Sequence, residues 1–290
     1  MSANRAAFRA RLAAAAAHQA PCVRVPLVLD ALTARMCESI GVEAGYVSGG
    51  ALGYQMAVSE ALLTVSELAG AVTSIVRRSA LPVIVDGGVG FGDPVHVARM
   101  MWDFEAAGAV AVEIEDQVAP KRASHHRGVE HLVPPADMVA KIRIAAAERR
   151  DPDFLIIART GAVRHESYLA ALERLHAYTA AGADAVMLFP GTDEEWVTAP
   201  QDLPVPVVAM TMMDTRPAVQ WDELGYAMVI DPMSGQVAAV NAVRDLYARQ
   251  LQGSRGDDLR ERGERYRELG TLAGMEHLYD IERRTTEPGT

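Results

Sequence analysis

Apolar residues in this chain fall in short unbroken runs rather than in alternation with polar ones. Leu27-Val28-Leu29, Tyr46-Val47, Val83-Ile84-Val85, Val110-Ala111-Val112, Phe154-Leu155-Ile156-Ile157, Ala185-Val186-Met187-Leu188-Phe189, Val207-Val208-Ala209 and Met228-Val229-Ile230 are the clearest. Such runs mark strands covered on both faces, as in parallel sheets. They predict eight strands, near residues 26–30, 45–48, 82–86, 109–115, 153–159, 184–189, 205–210 and 227–231. Helical spacing fills the intervals: Ser66 to Arg78 with Ser66 as N-cap, Val95 to Ala107, Pro135 to Arg149, and Glu166 to Ala180. Gly41, Gly108, Gly182 and Gly225 stand just past helical stretches, where a left-handed C-cap is expected.

Eight β-then-α units in 290 residues predict one (β/α)8 TIM-type barrel over residues 1–290, not an open doubly wound sheet. From 253 to 290 the chain is charged and helical in pattern, with Leu269, Leu272, Met275 and Leu278 as contacts. It reads as a C-terminal helical extension, docked on the barrel or swapped onto a neighbour. The stretch Gly87-Gly88-Val89-Gly90-Phe91-Gly92 is glycine-rich but lacks the spacing of a dinucleotide loop and the Lys-Ser/Thr of a P-loop.

Composition narrows the function. The apolar share is 50% and the charged share 23%, ordinary for a globular chain. A net charge of −10 argues against nucleic acid as the main partner. No 18-residue apolar run and no signal-peptide core is present, so no membrane contact is expected and a cytoplasmic enzyme is the default. Two cysteines, Cys22 and Cys37, are too few for a disulfide framework and read as buried thiols.

In a barrel of this kind the active site lies at the C-terminal ends of the strands. Read off there, the chain offers Asp30, the turn Ser48-Gly49-Gly50, Asp86, the acids Glu113, Glu115 and Asp116, Arg159-Thr160, Thr211, Asp231 and Ser234. Carboxylates on neighbouring strands 3 and 4, Asp86 with Glu113, Glu115 and Asp116, suit a hard cation such as Mg²⁺, with Mn²⁺ as substitute. The cation and Arg159 would share a carboxylate substrate, and Ser48, Gly49, Gly50 and Thr211 would complete its cradle. Lys121, His125 and His126 lie on the polar loop after strand 4, placed to close over an anion. Bland readings stand beside these: helix capping for Asp30 and Asp231, and a salt bridge across the barrel mouth for Arg159.

The order Ser48-Gly49-Gly50, Asp86 before a glycine loop, Glu115-Asp116-Gln117, Lys121-Arg122 and Ala158-Arg159-Thr160 resembles the isocitrate lyase/phosphoenolpyruvate mutase superfamily over about residues 20 to 250. The resemblance implies a Mg²⁺-dependent barrel that acts on 2-oxo or 2-hydroxy carboxylates through an enolate-type intermediate. It also implies a homotetramer or dimer with an exchanged C-terminal helix. By position, Asp86 and Glu115 match acids around Mg²⁺, Ser48 and Gly49 the backbone site for the substrate, Arg159 its arginine, and Lys121 the gating-loop lysine.

Several family positions differ. Lyases of this kind carry a loop Cys as proton donor where this chain has Ala123, which leaves Ser124, His125 or His126 to replace it. Acids are expected where Gly88, Gly161 and Gly191 stand, and an Asp where Ser59 stands, with Glu60 beside it. Three functions follow: a carbon–carbon lyase of the methylisocitrate or dimethylmalate kind; an oxaloacetate-type decarboxylase or 2-oxo acid hydrolase; and a catalytically weakened barrel that binds a carboxylate metabolite. A mutase is disfavoured, because no Asn lies between Gln117 and Pro135.

Overall fold

The structure is a computed structural model and describes residues 2–253 and 258–287. Eight parallel strands form it: β1 Val23–Pro26, β2 Gly45–Val47, β3 Val83–Asp86, β4 Ala111–Glu115, β5 Leu155–Arg159, β6 Ala185–Met187, β7 Val207–Met210 and β8 Met228–Asp231. Each pairs with the next in sequence from β2 onward, and β8 pairs with β1. The ring closes between β1 and β2 through a bridge from Leu27 to Tyr46, where the Val28 N–H donates to the Tyr46 carbonyl at 2.9 Å. The expected barrel is therefore present.

Strand residues alternate between two cores. Val23, Tyr46, Ile84, Ala111, Ile157 and Met228 point inward, where Phe8 and Leu12 of the N-terminal helix Ser2–Ala16 join them and close the lower end. Val47, Val85, Val112, Ile156 and Val229 point outward under the surrounding helices. This two-residue period decides which acids enter the barrel.

Some boundaries differ from expectation. The first strand is Val23–Pro26, not 26–30; the chain then runs to Asp30, which caps the helix Ala31–Ser39 by accepting from the Thr33 N–H at 2.8 Å. The helix expected from Ser66 begins at Val65 and is capped by Thr64, in a reciprocal box with Glu67. Ser66 sits inside the first turn because the box puts the acid three residues after the cap. The stretch expected from Glu166 splits into Ala162–His165 and Tyr168–Ala181, the latter capped by Ser167. Gly41, Gly108, Gly182 and Gly225 adopt positive φ after their helices, as expected. The extension forms Leu259–Ala273 and Met275–Thr285, broken at a left-handed Gly274; Leu272 and Met275 are half-buried while Leu269 and Leu278 are exposed. Both cysteines are free and buried, and burial pushes the Cys22 thiol up to about 12. Among the described residues no helix is long and apolar enough to cross a membrane.

Candidate active site

On β4 the odd-numbered residues face the interior, so Glu113 and Glu115 enter the barrel while Asp116 turns out. Asp116 instead accepts from Thr160 Oγ1 and Tyr178 OH at 2.7 Å each and from Arg174 at 3.2 Å, a buried knot beneath the helices. It therefore leaves the cluster of acids expected at the strand mouth. Register sets Asp86 beside Glu113 and Glu115 beside Arg159.

Arg159 is held between two acids one rung apart. Its Nη1 donates to Glu113 Oε2 at 2.9 Å and its Nη2 to Glu115 Oε2. Tyr46 OH donates to the same Glu113 oxygen at 2.7 Å. Burial pushes the Glu113 carboxyl up to about 8, against the pull of Arg159, and its Oε1 has no hydrogen-bond partner. Burial also raises the Glu115 carboxyl, but Arg159 and Lys121 outweigh it and hold this group well below the usual carboxylate range. Two carboxyls on one strand are thus driven apart by their neighbours.

Asp86 accepts from the Gly49 N–H at 3.0 Å and the Gly88 N–H at 2.8 Å. The Gly49 amide expected to meet substrate therefore serves Asp86 here. Ser48 caps the helix Gly49–Gln55, its Oγ accepting from Ala51 at 3.3 Å, and Gly50 follows in that first turn. Thr211 lies one residue past β7, half-buried, and takes no part in the ion pairs of the cluster. Asp231 accepts from Met213, Met233 and Ser234 N–H groups, so it ties loops together as its capping reading expects.

The loop after β4 folds down as a flap. Its stem is a bridge from Gln117 to Leu132, with the Val118 N–H donating to the His131 carbonyl at 2.8 Å. Lys121 pairs with Glu60 Oε1 and lies 2.5 Å from Glu115 Oε1. His125 Nε2 is 3.1 Å from Glu60 Oε2, and His126 lies between Tyr54 OH at 3.0 Å and Ser59 Oγ at 3.1 Å. The structure thus brings together Asp86, Glu115, Lys121, Arg159 and His125. It adds Tyr46, and it gives Glu113 and Glu60, already named among the acids, their partners. Tyr46 reads as an ordinary core residue in sequence; Glu60 follows β2 in a turn whose direction no pattern gives. Glu113 could have been assigned from its parity with Glu115.

A cavity of about 130 Å³ lies under the flap, lined by Gly49, Glu60, Asp86, Gly88 and Lys121 among others. Glu115 and Arg159 sit behind Lys121. A space of this size holds several waters. It is smaller than the roughly 300–1,000 Å³ of ordinary ligand pockets.

The sequence profile of phosphoenolpyruvate phosphomutase matches residues 13–251. The chain belongs to the phosphoenolpyruvate phosphomutase family. It is similar to a 2-methylisocitrate lyase of Aeropyrum pernix, 36% identical over 91% of this chain and 86% of that one. It is also similar to an oxaloacetate decarboxylase of Chromohalobacter salexigens, 34% identical over 85% and 88% of the two chains. Its fold matches a phosphonopyruvate hydrolase crystallised with oxalate and Mg²⁺, with a TM-score of 0.84, 28% identity, and 98% and 99% of the chains covered. This is an enzyme of the isocitrate lyase/phosphoenolpyruvate mutase superfamily, as its motifs indicated.

Within the phosphomutase family, one of the glycines at acidic positions acquires a spatial explanation. A Cβ on Gly88 would lie 3.8 Å from Glu60 Oε1, and one on Gly191 would lie 3.4 Å from Glu195 Oε2. A Cβ on Gly161 would collide with Glu130 Oε2. Only at Gly161 does a glutamate take the space a side chain would need; at Gly88 and Gly191 the glutamate lies at ordinary contact distance.

Among the described residues no three carboxylate, imidazole or thiol groups close on one point. Mg²⁺ does not require that: it keeps several waters and binds through one or two carboxylates plus substrate oxygens. The donors here are oxygens, and four acids (Glu60, Asp86, Glu113 and Glu115) face two fixed cations, Lys121 and Arg159. Glu115 Oε1 has no aligned hydrogen bond. The all-oxygen pair Asp86 and Glu115 fits a divalent cation.

Proposed function

We propose that this protein is a Mg²⁺-dependent carbon–carbon lyase acting on a 2-hydroxy or 2-oxo di- or tricarboxylate through an enolate-type intermediate. The observation that carries the reading is Arg159, buried and clamped by Glu113 and Glu115, with Glu115 in turn paired to Lys121, which lines the cavity together with Asp86. Asp86 and Glu115 would hold the cation. When bound, Mg²⁺ or Mn²⁺ supplies a Lewis acid next to the substrate's oxygens.

The chain's own residues do the rest. Arg159 is fixed from behind by two carboxylates, so it meets charge on a substrate oxygen without reorganising. Lys121 brings a second positive charge down with the flap. Its two carboxylates keep it protonated against the opposing effect of burial, so it serves as a charge and not as a base. Flap closure excludes water from the reacting carbon.

A second reading is decarboxylation or hydrolysis of an oxaloacetate-type 2-oxo acid. The loop has Ala123 in place of a thiol acid, and a relative at 34% identity is an oxaloacetate decarboxylase. Incubating the enzyme and Mg²⁺ with a panel of 2-hydroxy acids, and coupling any 2-oxo acid to lactate dehydrogenase, tests the lyase. CO₂ release from oxaloacetate with and without EDTA tests the decarboxylase. Mg²⁺-dependent oxalate binding with no turnover in either assay favours a carboxylate-binding barrel and rejects both.

The helix Ser234–Leu251 has no buried residue and exposes Val237, Val240, Val243, Tyr247 and Leu251 at helical spacing. An apolar stripe of this kind is covered in an assembly. It supports a homotetramer or dimer built through the C-terminal helices. Free, buried thiols suit a reducing compartment such as the cytoplasm.

A further inference from the structure

His125 is flanked on both ring nitrogens by groups that only accept. Nδ1 lies 2.8 Å from the Arg122 carbonyl and Nε2 lies 3.1 Å from Glu60 Oε2. A carbonyl and a carboxylate have no proton to give, so both nitrogens must carry one. The ring is held as an imidazolium. His126 is differently placed: Tyr54 OH and Ser59 Oγ can each donate or accept, so a neutral ring satisfies both contacts, and the side chain is exposed. Glu60 lines the cavity beside Asp86, Gly49 and Gly88, while its second oxygen meets Lys121.

We propose that Glu60 and His125 form the proton-donating pair of this site, Glu60 facing the substrate and His125 supplying the proton, in place of the thiol that Ala123 lacks. The inference rests on the carbon–carbon cleavage proposed above and applies to lyase and decarboxylase alike, since both leave an electron pair on carbon. As the C–C bond breaks, that pair stays on the carbon it leaves behind. Burial raises the Glu60 pKa, but His125 and Lys121 outweigh burial and lower it, so Glu60 rests as a carboxylate. It relays a proton from His125 Nε2 to that carbon, so the N–H bond breaks as the C–H bond forms and the carboxylate is restored. In the lyase the proton released by the substrate hydroxyl passes to water, and the neutral imidazole recovers one from water, which closes the proton balance. Lys121 stays charged throughout.

The charged groups around His125 agree with this direction. Burial opposes its charge, but Glu60 outweighs burial and Lys121 and raises the His125 pKa above its ordinary value. His126, its ring tilted 38° with its centroid 3.9 Å away, is lowered by burial and by His125 itself. Activity that needs the His125 proton is therefore full at low pH and falls as pH rises through the raised value.

The test uses whichever acid the wild-type enzyme cleaves with Mg²⁺. His125→Gln is expected to lower kcat by about 10²-fold or more, with little change in KM, and to erase the alkaline limb of the pH profile. Glu60→Gln is expected to cause a similar loss, and the double variant to be no worse than the slower single one, because the pair acts as a unit. His126→Gln should leave the limb at its wild-type pH. A His125→Gln enzyme within a few-fold of wild-type kcat, or one that keeps the limb, overturns the proposal. NMR titration of His125 in the substrate-free protein separates this pairing from the cleavage reading. An imidazole already neutral at its ordinary pKa refutes the pair even in an active enzyme. A charged ring that Glu60→Gln neutralises, in a protein inert toward every acid, upholds the pair and refutes the cleavage.

Discussion

Arg159 and Glu113 meet below the barrel mouth, Nη1 to Oε2 at 2.9 Å, with the Glu113 side chain wholly buried and the Arg159 side chain 10% exposed. Glu115 takes the other terminal nitrogen. Arginine suits this place because its planar fork can serve two carboxylates at once. Removing it strands two buried acids. Arg159→Gln should lower unfolding free energy by about 3–5 kcal/mol in urea titrations, the usual cost of breaking a buried pair. It should also abolish oxalate binding in calorimetry. Arg159→Lys should recover part of the stability and little of the binding, since one ammonium cannot bridge two rungs.

Glu113 gives a pH signature. Burial raises its pKa from 4.5 to about 8 in the folded protein. Between those values the folded state binds more protons than the unfolded one, so this group's contribution to stability falls as pH rises through the window. The melting temperature should therefore decline less between pH 5 and 8 in Glu113→Gln than in the wild type. Parallel melting curves for the two proteins across that range would contradict this.

Gly49 tests how tightly the site is built. A Cβ there would lie 2.9 Å from Glu60 Cγ and 3.1 Å from Asp86 Oδ2. Neither carboxylate can yield without losing its partners. Gly49→Ala should cut kcat at least tenfold while circular dichroism stays unchanged. Gly70, with nothing near an added Cβ, is the control site, where the same exchange should leave activity alone.

The barrel was legible in the sequence because buried parallel strands leave unbroken apolar runs, and several helices are followed by a glycine with positive φ, Gly41, Gly108, Gly182 and Gly225. The first strand was misplaced because Leu27-Val28-Leu29 is a better apolar run than Val23-Arg24-Val25. Arg24 interrupts the strand on its exposed side. Asp86, Glu115 and Arg159 were legible because strand ends define the site. Asp116 was misread as a neighbour of Glu115, although one step along a strand reverses the side chain. Glu60 was flagged beside Ser59, but its contacts with Lys121 and His125 stayed hidden, because its place depends on how a 3-10 turn, Glu60–Leu62, is folded over the barrel, and no periodicity encodes that.

The exposed stripe on Ser234–Leu251 predicts assembly. Val240 and Tyr247 are 57% and 58% exposed and lie along one face. Light scattering should give a dimer or tetramer for the wild type and a smaller species for Val240→Glu/Tyr247→Glu. A monomeric wild type would refute the assembly.

The most direct test is a crystal of the protein soaked with Mn²⁺ and oxalate, read by anomalous scattering. The expected peak lies between the Asp86 and Glu115 carboxylates, with Lys121 displaced from Glu115 Oε1 and one oxalate oxygen bonded to Arg159. No peak there, or a metal bound without these two acids while Arg159 keeps both glutamates and touches no ligand, would contradict the account.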